Sequence, residues 1–233
     1  MGYCSRAQAS KLAAAGRVRL NGVVRRDAET PVRLGQDRIE VDGQEIRAAE
    51  KAYWMMNKPR GVVTTASDEK GREIVYDYIA ERDKWLAPVG RLDKASEGLL
   101  LLTNDSEWAA QVLDPSGHVE KTYHVQIAAL ADEALLHSLR SGVRDGGDFL
   151  RVTRVTELRH GERNSWLEIV LHEGKNRQIR RMLEALGVTV LRLVRVAIGG
   201  LELGDLAKGE SRKLTAAEKA AVAGKRQVAN DLR

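Results

Sequence analysis

Asp93 is the residue in this chain best placed for chemistry. It lies in the run GRLDKASEGLLLLTND, Gly90 to Asp105, which sets a single carboxylate between a basic residue and a long apolar stretch. Gly90 permits a tight or positive-φ approach, Arg91 and Asp93 alternate as on the end of an extended strand, and Glu97-Gly98 reads as a break before Leu99 to Leu102 turn inside. Asp93 is then expected at the lip of a core, as a structural oddity or a reactive group. A turn aspartate that caps the next segment is the plain alternative.

Three more segments accompany it: NKPRGVVTT (Asn57 to Thr65), EKTYHVQI (Glu120 to Ile127) and LHEGKNRQIRRMLEALG (Leu171 to Gly187). Together with GRLD they resemble the ribosomal pseudouridine synthases of the RsuA-like family, from about Tyr53 to Thr215. That resemblance implies isomerisation of a specific uridine to pseudouridine in ribosomal RNA. The bond from base nitrogen to sugar is broken, the base turns, and it is rejoined through carbon. No net redox change and no energy input are needed, so no cofactor is expected. The resemblance makes Asp93 the catalytic nucleophile and leaves open attack at the sugar or at the base.

A nucleophilic Asp in a desolvated site needs a neighbouring cation to stay ionised. By resemblance this is Arg180, whose alternative is an exposed helix arginine holding phosphate. On a helix, Ile179, Met182 and Leu183 form an apolar stripe, and Arg180 and Arg181 project about 100° apart. One of the two can face a pocket and the other RNA, and by the resemblance Arg180 is expected inside and Arg181 on RNA. Tyr123 corresponds to an active-site tyrosine that stacks on the base and moves a proton, against the alternative of a half-buried strand tyrosine. Arg91 has a positioning role by analogy, because an enzyme acting on a stacked base must extrude it and steady the vacated space. Lys58 and Lys121 are assigned to the substrate as phosphate contacts, with structural packing as the alternative. Ile198 resembles the apolar residue that closes the pocket beside the base, and an ordinary core isoleucine is equally consistent.

The elements that must position these residues follow from pattern. The chain has 233 residues and a net charge of +5, unevenly spread. Arg6, Lys11, Arg17, Arg19, Arg25 and Arg26 precede the first acid, and a second cluster holds Lys175, Arg177, Arg180, Arg181, Arg192 and Arg195. Such bias points to a polyanion, with solvated faces as the alternative. Arg6, Lys11, Arg17, Arg19, Lys175, Arg177 and Arg181 are the expected RNA contacts. Cys4 stands alone, so no intramolecular disulfide is expected and a reducing, cytoplasmic setting is. The apolar stretches are too short to span a membrane and no signal-peptide region opens the chain. The five histidines have no metal-like spacing, so no metal is expected.

Residues 1–47 read as a small α/β RNA-binding module. Ser5 caps a helix that Gly16 ends, and Asn21-Gly22 and Asp42-Gly43 mark hairpins. The segment looks like the module named after ribosomal protein S-four, shortened by a helix and with too few large apolar residues for an independent core. Residues 48–215 are expected to form an α+β catalytic domain, a largely antiparallel mixed sheet flanked by helices. Helices are expected at Glu107 to Leu113, Asp132 to Leu139 and Gln178 to Leu186. Strands are expected at Tyr53 to Met56, Thr122 to Ile127, Arg151 to Leu158, Trp166 to Leu171 and Val188 to Val196. Residues 216–233 are expected as a basic tail, helical at first from a Thr215–Glu218 capping box. The reading is a monomeric enzyme acting on ribosomal RNA or a pre-ribosomal particle, with its wording leaning to large-subunit members. A non-catalytic rRNA-binding or assembly factor is the runner-up. The set Asp93, Tyr123 and Arg180 argues against it, because a binder gains nothing from a desolvated acid facing a polyanion.

Overall fold

The computed structural model describes residues 3–33, 35–47, 49–66, 68, 70–79 and 84–222. Helix α1 (Arg6–Ala14) starts as its sequence requires: the Ser5 hydroxyl accepts the Gln8 amide, and the Gln8 side chain accepts the Ser5 amide. Gly16, at φ +73°, stops it. Strands β1 (Val18–Leu20), β2 (Val23–Val24), β3 (Ile39–Val41) and β4 (Gln44–Glu45) form an antiparallel sheet in the order β2-β1-β3-β4. Both hairpin dipeptides have positive φ throughout, at Asn21-Gly22 and Asp42-Gly43. Among the described residues of this module only Ala13 and Val41 are buried apolar side chains. Polar ties substitute for a core: Arg17 pairs with Asp42 at 2.5 Å, and Arg26 donates to the Ala14 carbonyl.

The larger body runs through β5 (Tyr53–Lys58), β6 (Ala87–Val89), β7 (Glu97–Thr103), α2 (Ser106–Leu113), β8 (Lys121–Ile127), α3 (Glu133–Ser141), β9 (Val143–Asp145) and β10 (Asp148–Leu150). It continues with β11 (Arg154–His160), β12 (Ser165–Leu171), α4 (Gln178–Ala185), β13 (Val190–Ile198), β14 (Leu201–Glu202), β15 (Ser211–Lys213) and α5 (Ala216–Val222). Among the described residues one sheet has the order β11-β12-β8-β13-β7-β5-β15, with β14 on β13 and β6 on β7. Its strand pairings are antiparallel except β7 with β13. The α+β class with a mainly antiparallel sheet is therefore what forms, and β9 and β10 make a separate hairpin.

The run of four leucines has a direct cause. Strand β7 is covered on both faces: Leu100 and Leu102 enter the core shared with α3 and α4, and Leu99 and Leu101 enter the one shared with α2 and α5. Such a strand carries no polar alternation. Glu97 and Gly98 are its first two residues rather than a break before it. Strand β11 starts at Arg154, later than expected, because residues 151–153 link it to the β9–β10 hairpin.

The capping box at Thr215 and Glu218 forms, with each side chain accepting the other's amide. The helix it starts is not a free tail. Val222 is fully buried, and Gly200 donates to the Ala221 carbonyl at 2.8 Å. A Cβ on Gly199 would stand 2.4 Å from the Val222 oxygen, so glycine there permits the close packing. Residues 216–222, expected as the start of a tail, thus pack against the larger body. The basic end expected after them lies outside the described residues.

Candidate active site

The GRLD run is a loop joining β6 to β7, not a strand end. Gly90 enters it at φ +72°, where an added Cβ would stand 3.0 Å from Leu113. The NKPRGVVTT segment holds it from beneath. Thr64 Oγ1 donates to the Leu92 carbonyl at 2.8 Å, and Gly61 N–H donates to the Lys94 carbonyl at 2.7 Å. The Lys58 ammonium donates to the carbonyls of Ser96, Pro59 and Asp93 at 2.8, 3.0 and 3.3 Å. Two motifs remote in sequence thus form one rigid support, and the Asp93 side chain, 30% exposed, stands on it.

A cavity of about 510 Å³ opens beside Asp93. The structure brings Arg91, Asp93, Lys121, Tyr123, Lys175, Arg177, Arg180 and Ile198 to its wall. Tyr123 and Ile198 are buried, on β8 and at the end of β13, whereas Arg91, Lys175 and Arg177 are exposed at the mouth. Lys121 is partly withdrawn and donates to the His172 carbonyl at 3.2 Å. Burial lowers its pKa first, and the nearby Arg195 adds to that. The lining holds one other acid, Glu173, which accepts from the Gln178 amide at 2.9 Å.

Helix α4 presents the expected stripe: Ile179, Met182 and Leu183 are buried. Arg180 turns toward the cavity and donates Nη2 to the Ala95 carbonyl at 2.9 Å, two residues past Asp93. Its Nε is buried without an acceptor among the described residues. Desolvation is the main influence lowering its pKa, Arg177 adds to it, and Asp93 opposes it. Arg177, in the left-handed region at φ 49° just before the helix, brings its guanidinium within 4.0 Å of the Asp93 carboxylate. Asp93 therefore faces two guanidinium groups.

Several expected contacts are corrected. Arg181, expected on RNA, is turned to the β9–β10 hairpin, where it pairs with Asp145 at 2.5 Å and Asp148 at 2.9 Å. Lys58 has 0% exposure and cannot reach substrate, and its structural alternative holds. The second basic cluster is not one surface. Arg192 pairs with the buried Glu97 at 3.0 Å, and Arg195 lies inside, 6% exposed, on the cavity wall. Arg195 was legible only as a member of that charge run, although its strand period with Leu193 was a signal for an inward position.

The strand ends and helix α4 of this mixed sheet bring Asp93 among arginines, with Tyr123 beside a cavity of about 510 Å³. Residues 52–185 match the family model for RNA pseudouridylate synthase, and residues 1–39 match the S4 domain. The chain belongs to the RNA pseudouridylate synthase family, in the RsuA-like branch that its motifs resemble. It is similar to the ribosomal large subunit pseudouridine synthase B of Bacillus subtilis, 37% identical over 92% of this chain and 88% of that protein. An RNA pseudouridine synthase of Aquifex aeolicus is 36% identical over 93% of this chain and 88% of its own. A crystal structure of a pseudouridylate synthase superposes with a TM-score of 0.66 at 30% identity, covering 94% of each chain.

Lys58 gives a pH prediction. Burial is the main cause that pulls its pKa from 10.5 to about 8, against the opposing pull of Asp93 and Glu97. A neutral amine has two N–H donors for three carbonyls, so activity is expected to fall as pH rises through about 8. Stability has the opposite sign: between about 8 and 10.5 the unfolded chain holds the proton more often than the folded one, so this group favours folding more as pH rises. A pH–rate profile recorded beside thermal unfolding checks this. A rate loss accompanied by unfolding would assign it to other groups.

Proposed function

We propose that this protein converts a uridine of large-subunit ribosomal RNA to pseudouridine, with Asp93 as nucleophile. The carrying observation is Asp93 itself, a part-exposed carboxylate fixed through its backbone by Lys58 and flanked by Arg177 and Arg180 at a cavity of about 510 Å³. That volume suits one extruded nucleotide. Arg91 at the mouth steadies the vacated stack, Tyr123 packs on the base and serves proton transfer, and Ile198 closes the apolar side. Arg177 and Arg180 flank the carboxylate, which attacks the nucleotide as its base–sugar bond is exchanged. Large-subunit RNA is favoured by the name and identity of the Bacillus subtilis relative.

Pseudouridine mapping of both rRNAs from cells with and without this protein tests the reading. One large-subunit position should lose its modification. Loss confined to small-subunit RNA, or no loss, would overturn it.

The N-terminal module is read as an accessory clamp. Arg6, Lys11 and Arg19 are exposed on it, whereas Arg17 is shared with Asp42. Deleting residues 1–47 is expected to raise the half-saturating RNA concentration by about tenfold or more and to flatten its salt dependence. The single-turnover rate at saturating RNA should stay within about twofold of the full chain. A folded deletion variant whose saturated rate collapses would make the module part of the active site.

A further inference from the structure

Arg195 is placed where no motif of the sequence puts a role. It stands on β13 opposite Tyr123 of β8, and on its other side β13 runs parallel to β7 with Arg195 in register with Gly98. A Cβ at residue 98 would lie 2.3 Å from the Arg195 carbonyl oxygen, and Gly98 has φ +102°. Glycine at that position is what lets β13 come close enough to set this guanidinium on the inner wall of the cavity. Nε donates to the Leu99 carbonyl at 2.7 Å, which fixes the plane of the group. Nη2 is buried and meets no acceptor among the described residues.

The surroundings make this donor specific for an oxygen that carries or develops negative charge. Arg195 depresses the pKa of both Lys58 and Lys121, so three cations crowd this wall. Asp93 and Glu97 offset the charge of Lys58, whereas the hydrogen-bond partners of Lys121 and Arg195 are carbonyls that neutralise none of theirs. A phosphate would be met earlier, at the mouth, by the exposed Arg91, Lys175 and Arg177. Tyr123, Leu193 and Ile198 give the inner wall an apolar part on which a base can pack. The uracil edge offers two carbonyl oxygens.

We infer that Arg195 is a further catalytic residue, whose guanidinium on the cavity wall donates to a carbonyl oxygen of the target uracil and stabilises the charge that the base acquires. This rests on the proposed reaction but not on the point of attack. If the Asp93 carboxylate bonds to the sugar carbon, the electron pair of the broken base–sugar bond stays on the ring nitrogen and spreads to both carbonyls. If it adds to the C5–C6 double bond at C6, the π pair moves through C5 onto the C4 carbonyl. Either way a fixed, desolvated donor gains strength as the charge forms, which is the condition for lowering the barrier rather than merely binding substrate.

The test is a thio-substitution cycle with the full chain and an rRNA fragment carrying uridine, 2-thiouridine or 4-thiouridine at the modified position. Sulfur accepts hydrogen bonds poorly, so wild type should lose about tenfold or more in single-turnover rate on one of the two thio-RNAs. Arg195→Met should be slowed by about 100-fold on uridine with its half-saturation nearly unchanged, and the same thio substitution should cost it nothing further. Arg195→Lys keeps a charge and a donor and should recover part of the rate, and it carries the cycle if the methionine variant fails to fold. Additive thio losses in a folded variant would overturn the assignment, as would a wild type that turns over both thio-RNAs at the uridine rate. Failure of the underlying reading would look different, as a wild type that leaves the uridine RNA unmodified, and it would remove the role of Arg195 too.

Discussion

Asp93→Asn should abolish pseudouridine formation, lowering the single-turnover rate by about 10⁴-fold or more while RNA affinity stays near that of the parent. The substitution is nearly isosteric, and the loop does not depend on the carboxylate for its shape. It is held through backbone carbonyls, by Lys58 at Asp93 and Ser96, by Gly61 at Lys94 and by Thr64 at Leu92. Among the described residues the carboxylate itself makes only the long contact of 4.0 Å with Arg177. Folding should therefore survive, and loss of a negative charge facing a polyanion cannot weaken RNA binding by repulsion. The check is quantitative pseudouridine analysis after a single turnover, with binding measured on the same RNA. Turnover close to that of the parent would take Asp93 out of the mechanism and revive a binding-factor reading.

Arg180→Met should lower the rate at saturating RNA by about 10²- to 10³-fold and shift half-saturation by less than about threefold. Two functions are lost together. One is the bond to the Ala95 carbonyl, which steadies the Asp93 loop, and the other is a guanidinium charge close to the carboxylate. Its neighbour supplies the control. Arg181→Met removes the ties to Asp145 and Asp148 on the β9–β10 hairpin, so it should lower the unfolding temperature and leave rate and salt dependence almost unchanged. Equal losses of RNA affinity from both substitutions, with the chemical step intact, would mean that each arginine touches phosphate.

The contrast between these adjacent arginines marks the limit of sequence reading. Features governed by a few consecutive residues were legible without the fold. Ser5 with Gln8 and Thr215 with Glu218 cap their helices, Asn21-Gly22 and Asp42-Gly43 turn their hairpins, and the 3.6-residue period buries Ile179, Met182 and Leu183. The motif residues Asp93, Tyr123, Arg180 and Ile198 could be named from type and order, and all four stand on one cavity.

Direction and partnership of the long basic side chains were not legible, because each depends on what another segment brings within reach. Lys58 is committed to carbonyls up to 38 residues away, and Arg192 to a carboxylate 95 residues away. Arg181 has its acids on a hairpin that the sequence pattern did not show. Glu97-Gly98 looked like a break because glycine usually interrupts a strand. In the fold Gly98 is the one residue type that admits the neighbouring backbone of β13. The amino-acid sequence by itself determined helices and turns, which local chemistry sets, and its motifs singled out Asp93 as the carboxylate proposed to react. Tertiary structure alone decided which cations hold the loop, which meet solvent and which, like Arg195, line the cavity, because a buried charge is defined by the partners that desolvate it.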